Sequence, residues 1–400
     1  MNDMKDGVAD DAPNESPLVG SISNLGQPFR FSNVEPLCGV SVEPSRDGYV
    51  KVCSRLATTS DDPMFHTMAS SFTSVVNHLA QEAGMAISLD RANTVLMVMK
   101  ADNTAELWVD TAAVSLRCSL KRSVVAGMAI FEHDIADITG MTFPCVDIQS
   151  TDRVWCIFRQ DWGFGLAFDF NTDGELDLEG FNTALGSLYR QLKYRHLYQA
   201  MANQTVFDSL VRLGWFPFVE IIAKEFKGLA DHSSAGFDVG VIEESILASF
   251  DEDRTQKMME RWALKPHFSA RAAILKVAVD AFNKREPIAV IKILLTEIEG
   301  VLADAYRAVN GGKSAKLKDL LSFAIASAEQ KSGHTDTLFF SAAFARYLAS
   351  HTFANFDPTL QTGTASSRHA VGHGAATAES YTMTRALQVI LTLDQLAFYT

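Results

Sequence analysis

The period of the hydrophobic pattern changes once along this chain, near residues 171–175. That change constrains the fold more than any other feature. Before it, apolar side chains recur mostly at every second position, the spacing of strands. Tyr49-Val-Lys-Val-Cys53, Asn93-Thr-Val-Leu-Met-Val-Met-Lys100 and Glu106-Leu-Trp-Val-Asp110 read this way. So do Arg153-Val-Trp-Cys-Ile-Phe158 and Gly165-Leu-Ala-Phe-Asp-Phe170. Turn material such as Arg46-Asp-Gly48 and Ala101-Asp-Asn-Thr104 separates them. One helix is expected over Pro63–Gly84, where Phe65, Met68, Phe72, Val75 and Leu79 share a face.

After the change the period is that of a helix. Leu178, Phe181, Leu185, Leu188 and Leu192 form a stripe, and further helices are expected roughly at 205–230, 241–264, 267–284, 287–308, 314–330 and 337–351. Pro287 suits a first helical turn, and Asn310-Gly-Gly312 suits the end of that helix. The last segment, 376–399, is apolar nearly all round through Leu387, Val389, Ile390, Leu391, Leu393, Leu396 and Phe398. It should lie buried within a bundle or against another chain, which permits a homodimer through the C-terminal helices. The expected fold class is α+β: a mostly antiparallel sheet with a helix, then an all-α half. The expected organisation is an acidic tail without fixed structure over 1–16, an α+β domain over 17–172, a helical region over 175–285 and a helical domain over 286–400.

Composition narrows the function classes. The net charge of −13 opposes binding of nucleic acid over the whole surface, so an RNA-directed role needs a local basic pocket or a partner that delivers the substrate. Five cysteines, Cys38, Cys53, Cys118, Cys145 and Cys156, form no C-x-x-C pair, which fits reduced thiols in a cytoplasmic protein. The N-terminal stretch carries Asp3, Asp6, Asp10, Asp11 and Glu15 and no apolar segment, unlike a signal peptide. No apolar run reaches the roughly 18–20 residues that span a membrane, so no membrane partner is expected.

Chemistry concentrates ahead of the last helix, in Ser367-Arg368-His369-Ala-Val-Gly-His373-Gly374. An arginine and a histidine held close together suffice for metal-free RNA cleavage. The histidine takes the proton of a ribose 2′-hydroxyl, and the arginine neutralises the phosphorane. The competing reading makes both residues polar ties between a loop and a helix end. His369 and His373 also have the i, i+4 spacing of a zinc pair, without an evident third ligand. Asp169-Phe-Asn171-Thr-Asp173-Gly174-Glu-Leu176-Asp177 mimics the start of a calcium loop, but Gly180 stands where the bidentate carboxylate belongs. The alternative there is a strand-to-helix turn with Asp177 as the cap. Neither a metal nor a cofactor is expected. Glu297 and Glu299 lie in an apolar helix and need partners, for which Arg368 is a candidate. Gly214-Trp215-Phe216-Pro217-Phe218 reads as core at a helix junction rather than as a binding anchor.

Through Ile298-Glu299-Gly300 and Ser367–Gly374, the last third of the chain, 286–400, resembles the HEPN-type all-helical domains of bacterial toxin, abortive-infection and phage-defence proteins. The resemblance implies metal-independent RNA cleavage at sites that commonly meet across a dimer. It implies that Arg368 stabilises the phosphorane, His373 serves as general acid/base, His369 orients the pair and Glu299 holds Arg368. Some relatives are inactive and serve as binding or assembly modules. Two functions from different classes therefore stand side by side. One is a cytoplasmic HEPN-like endoribonuclease in stress or phage defence, with RNA as substrate and a restraining partner of unknown nature. The other is a non-catalytic helical interaction module. A third reading makes 169–179 a calcium-responsive loop.

Overall fold

A computed structural model describes residues 22–89, 91–355 and 367–400; the acidic tail expected over 1–16 lies outside the described residues. The strands are β1 (Phe29–Phe31), β2 (Val40–Ser41), β3 (Val52–Cys53), β4 (Arg55–Thr59), β5 (Thr94–Met99), β6 (Ala105–Val109), β7 (Ser115–Leu120), β8 (Ile135–Thr142), β9 (Arg153–Gln160) and β10 (Gly163–Asp169). Six of them form an antiparallel sheet in the order β1-β6-β5-β9-β10-β4. Two small ribbons, β2–β3 and β7–β8, complete the strand content among the described residues.

Helices cover both faces of the sheet. Helix α1 (Pro63–Glu82) lays Phe65, Met68, Phe72 and Val76 against Val95, Met97, Trp155 and Phe168. Its buried stripe runs through Val76 and Ala80 rather than Val75 and Leu79, a rotation of one residue in the later turns. Helix α2 (Leu178–Lys193) lays Phe181, Leu185, Leu188 and Leu192 against Leu96, Val98, Cys156 and Phe158 on the other face. The segment 94–99 is therefore buried from Val95 to Met99 without alternation, as a strand covered on both sides must be. The α2 stripe extends the sheet's core beyond 171–175. Gly186 lets α2 approach β8 closely, because a Cβ there would meet the Gly140 backbone at 2.4 Å.

The remaining helices are α3 (Arg195–Ala202), α4 (Gln204–Arg212), α5 (Lys224–Ser234), α6 (Gly240–Ser249), α7 (Glu252–Ala263), α8 (Pro266–Ser269) and α9 (Ala272–Asn283). After them come α10 (Pro287–Val309), α11 (Leu317–Ser332), α12 (Ser341–Tyr347), α13 (Arg368–Gly372) and α14 (Met383–Ala397). Three expected helices are broken: 205–230, 241–264 and 267–284, the last at 270–271 between α8 and α9. The run 205–230 is cut where Gly214 adopts φ +85° ahead of Pro217, and Trp215, Phe216 and Phe218 turn inward as core. The run 241–264 is cut at Asp251, whose side chain caps α7 by accepting from the Arg254 N–H at 2.9 Å. One apolar core runs from Tyr194 to Tyr399 and takes in Ala136 and Ile138 of β8. Helix α14 is central to it and every residue from Arg385 to Ala397 is buried by the chain itself, so its all-round apolarity requires no second chain. No described helix is long and apolar enough to cross a membrane.

A fully buried arginine ties the sheet side to the bundle. Arg190 of α2 donates from Nη1 to the Ile138 carbonyl, from Nε to Tyr198 Oη at 2.8 Å and from Nη2 to the Asp336 carbonyl, and pairs with Asp336 Oδ2 at 2.6 Å. Asp137 of β8 lies 3.7 Å from its Nη1 and accepts from the N–H groups of Ile138 and Leu338. Burial pushes the Asp137 carboxyl up to about 6, against the pull of Arg190. A folded-state value above the unfolded one gives stability that is fully present below about 4 and lost as pH rises through about 6. Wild-type protein is expected to lose roughly 3 kcal/mol from this group between pH 4 and 7. Asp137→Asn retains the acceptor for both N–H groups and should flatten that part of the profile. Urea unfolding at pH 4.5 and 7.5 tests this; an unchanged difference between the two pH values would count against it.

Candidate functional site

Helix α13 is short because both of its ends are fixed, one by a contact to another segment and one by a local turn. Ser367 precedes it in an extended conformation, with its hydroxyl donating to the Ala354 carbonyl at 2.6 Å. At the other end Gly374 takes φ +69°, and the N–H groups of His373, Gly374 and Ala375 close onto His369, Val371 and Ala370. Arg368 thus stands at the first helical position and His373 at the C-cap. Ala370 is the buried residue that seats α13 against α10, leaving Arg368 and His369 half-buried and His373 exposed.

The three polar side chains and α10 enclose a solvent-open groove of about 570 Å³, lined by Lys292, Leu295, Thr296, Arg368, His369, Val371, Gly372, His373 and Gly374. Among the described residues its ionisable lining is cationic or imidazole, with no carboxylate. Glu299, two turns along α10 from Lys292, pairs with Arg368, Nη1 to Oε2, at 2.6 Å. Both side chains remain about one-third exposed, at 34 and 33%. The contact is one of charge rather than a directed hydrogen bond: Glu299 Oε2 and Arg368 Nε are both buried without a hydrogen-bond partner. Glu297 turns away and pairs with Arg271 instead, as residues two apart on a helix must diverge.

All four residues singled out from sequence are therefore gathered at one place: Arg368, His369 and His373 on the groove and Glu299 behind Arg368. Sequence reasoning missed Lys292. Its signal was the spacing from Glu299, since positions 292, 296 and 299 share one face of a helix. It also missed Tyr381, whose ring centroid lies 5.9 Å from Lys292 Nζ.

Other polar constellations serve packing. His351 and Arg385 form a direct histidine–arginine contact, Nε2 to Nη1 at 2.9 Å, but in the core. Burial and the neighbouring Arg385 charge push the His351 imidazole down to about 3, so it stays neutral and accepts. A groove of about 640 Å³ beside Lys331 and Thr400 is as large but has no arginine–histidine pair in its lining. The loop after β10 is a strand-to-helix turn. Asp169 pairs with Arg55 at 2.6 Å, and Asp177 caps α2 by accepting from the Gly180 N–H at 2.8 Å. Among the described residues no three histidine, cysteine or carboxylate side chains converge as a metal-binding group. Comparison with family models, curated proteins and solved structures finds no match to this chain.

Proposed function

We propose that the chain is a metal-independent endoribonuclease of HEPN type, acting in stress or phage defence. The observation that carries this reading is the convergence of Arg368, His369 and His373 on one open groove, on a chain whose overall charge is −13. In the proposed reaction His373 takes the proton of a ribose 2′-hydroxyl. The 2′-oxygen forms a bond to the adjacent phosphorus, and Arg368 offsets the charge that builds on the phosphorane oxygens. The bond to the 5′-oxygen breaks, and that oxygen takes up a proton from the imidazolium or from water. The products are a 2′,3′-cyclic phosphate and a 5′-hydroxyl. Glu299 fixes Arg368 from behind, and His369 orients the pair. The α+β half would restrain or direct the nuclease. A second copy, where one forms, would meet this groove rather than α14, which its own chain already covers.

A second reading is an interaction module in which Arg368 and His373 are structural. The net charge of −13 and the Glu299 carboxylate opposite Arg368 favour it. The two readings separate in one experiment, in which purified protein is incubated with total RNA in excess chelator and the product ends are mapped. Cyclic phosphate ends made by the wild type and lost in His373→Ala support the nuclease. Intact RNA at micromolar protein leaves the interaction module as the better account.

A further inference from the structure

The groove holds one cation that the arginine–histidine chemistry does not use. Lys292 projects from the exposed side of α10 into the lining, one turn before Thr296. Among the described residues no carboxylate pairs with it. Glu299 is seven residues further on, about 10 Å along the axis, a distance comparable to the Debye length at physiological salt. The Arg368 charge is already opposed by Glu299 at 2.6 Å. The uncompensated positive charge of the groove therefore resides on Lys292. Its ammonium lies 5.9 Å from the centre of the half-buried Tyr381 ring, close enough for the ring to bias where that flexible side chain stands.

We propose that Lys292 is the phosphate anchor of this groove, holding the phosphate next to the one attacked, and that Tyr381 positions it. The inference rests on the ribonuclease reading for the bond that is cut, and on charge alone for the binding. Lys292 is a binding residue, so its loss should raise KM with little change in kcat, whereas loss of His373 lowers kcat. On a chain of net charge −13, the one groove cation without a carboxylate opposite it is expected to contribute strongly to attracting a polyanion.

The test uses the full chain and two probes. A short fluorescent oligonucleotide with 2′-deoxy sugars cannot be cut and reports binding by anisotropy over a salt series. The matched all-ribose strand reports KM and kcat. Lys292→Ala is expected to weaken binding of the uncleavable strand roughly tenfold at low salt and to reduce the slope of log K against log salt by about 0.7, the loss of one phosphate contact. Lys292→Arg should restore most of the affinity. Tyr381→Leu should weaken binding and Tyr381→Phe should not, because the ring and not the hydroxyl faces the ammonium. Lys292 is exposed, so its two variants are expected to fold as the wild type does, and the urea midpoint checks the half-buried Tyr381 variants.

Uncleavable strand bound through Lys292, together with all-ribose strand that is never cut, supports the anchor and overturns the nuclease. Cleavage by Lys292→Ala with unchanged KM overturns the anchor and leaves the nuclease standing. Wild type that binds neither strand at low salt overturns both.

Discussion

Replacing His373 with alanine is expected to lower the rate of chelator-resistant RNA cleavage by roughly 100- to 10,000-fold, the usual contribution of a positioned general acid or base. The imidazole is exposed at the C-cap of α13, and Ala370, not His373, seats that helix in the core. The substitution should therefore leave the urea midpoint nearly unchanged, as surface replacements do within about 0.5 kcal/mol. A fall in activity with intact stability is the signature of chemistry. A parallel fall in both would assign His373 to structure. Arg368→Lys is the companion variant. It retains the charge opposite Glu299 but loses the planar fork that can address two phosphorane oxygens together. Its expected loss is roughly 100- to 1,000-fold, as for removal of one oxyanion donor. Activity that survives both variants would place the nuclease elsewhere or remove it.

Replacing Asp394 with alanine is expected to destabilise the helical half by about 3–5 kcal/mol. Asp394 of α14 is buried and accepts from Arg261 Nη2 at 2.8 Å and from Trp262 Nε1 at 2.7 Å. Arg261 also donates to the Lys121 carbonyl at 3.0 Å and to Glu220 at 3.1 Å. Burial works against the Glu220 charge, yet Lys121, Arg261 and Arg254 together hold its carboxyl below the ordinary value. Without Asp394 the Arg261 guanidinium retains the Lys121 carbonyl and Glu220 as its one carboxylate, and the Trp262 N–H loses its acceptor. The cost comes from leaving these groups buried and short of partners, more than from the net worth of the pair. Arg261→Met combined with Asp394→Leu should recover most of the loss, because an apolar pair of similar size removes the charges along with their desolvation. The urea midpoint and slope report both variants. A loss below about 1 kcal/mol in Asp394→Ala would mean that water or Glu220 compensates.

The elements most legible in the sequence are those with one dominant contact face. The α2 stripe from Phe181 to Leu192 packs as its spacing requires, and Pro287 does open α10. Strands β7 and β8 escaped notice because β7 is half-exposed along its length and its pairing with β8 slips register twice. The break within 241–264 was visible in Asp251-Glu-Asp253 as an N-cap signal, but apolar spacing on both sides masked it.

The candidate site divides in the same way. Arg368, His369 and His373 lie within one short segment, and a local turn ended by Gly374 suffices to present them together. That much the amino-acid order determines by itself, because glycine at positive φ stops the helix and leaves His373 at its cap. Tertiary structure decided the rest. Lys292 and Glu299 come to Arg368 and the histidines because α13 packs against α10, and Tyr381 comes to Lys292 through the path of the chain between α13 and α14. Glu299 and Glu297 are alike in composition and differ only in direction, so one holds Arg368 and the other Arg271. The all-round apolarity of 376–399 left its neighbour open, its own chain or another. Packing in this chain buries α14 from every side, since that placement removes its apolar surface from water without a second copy.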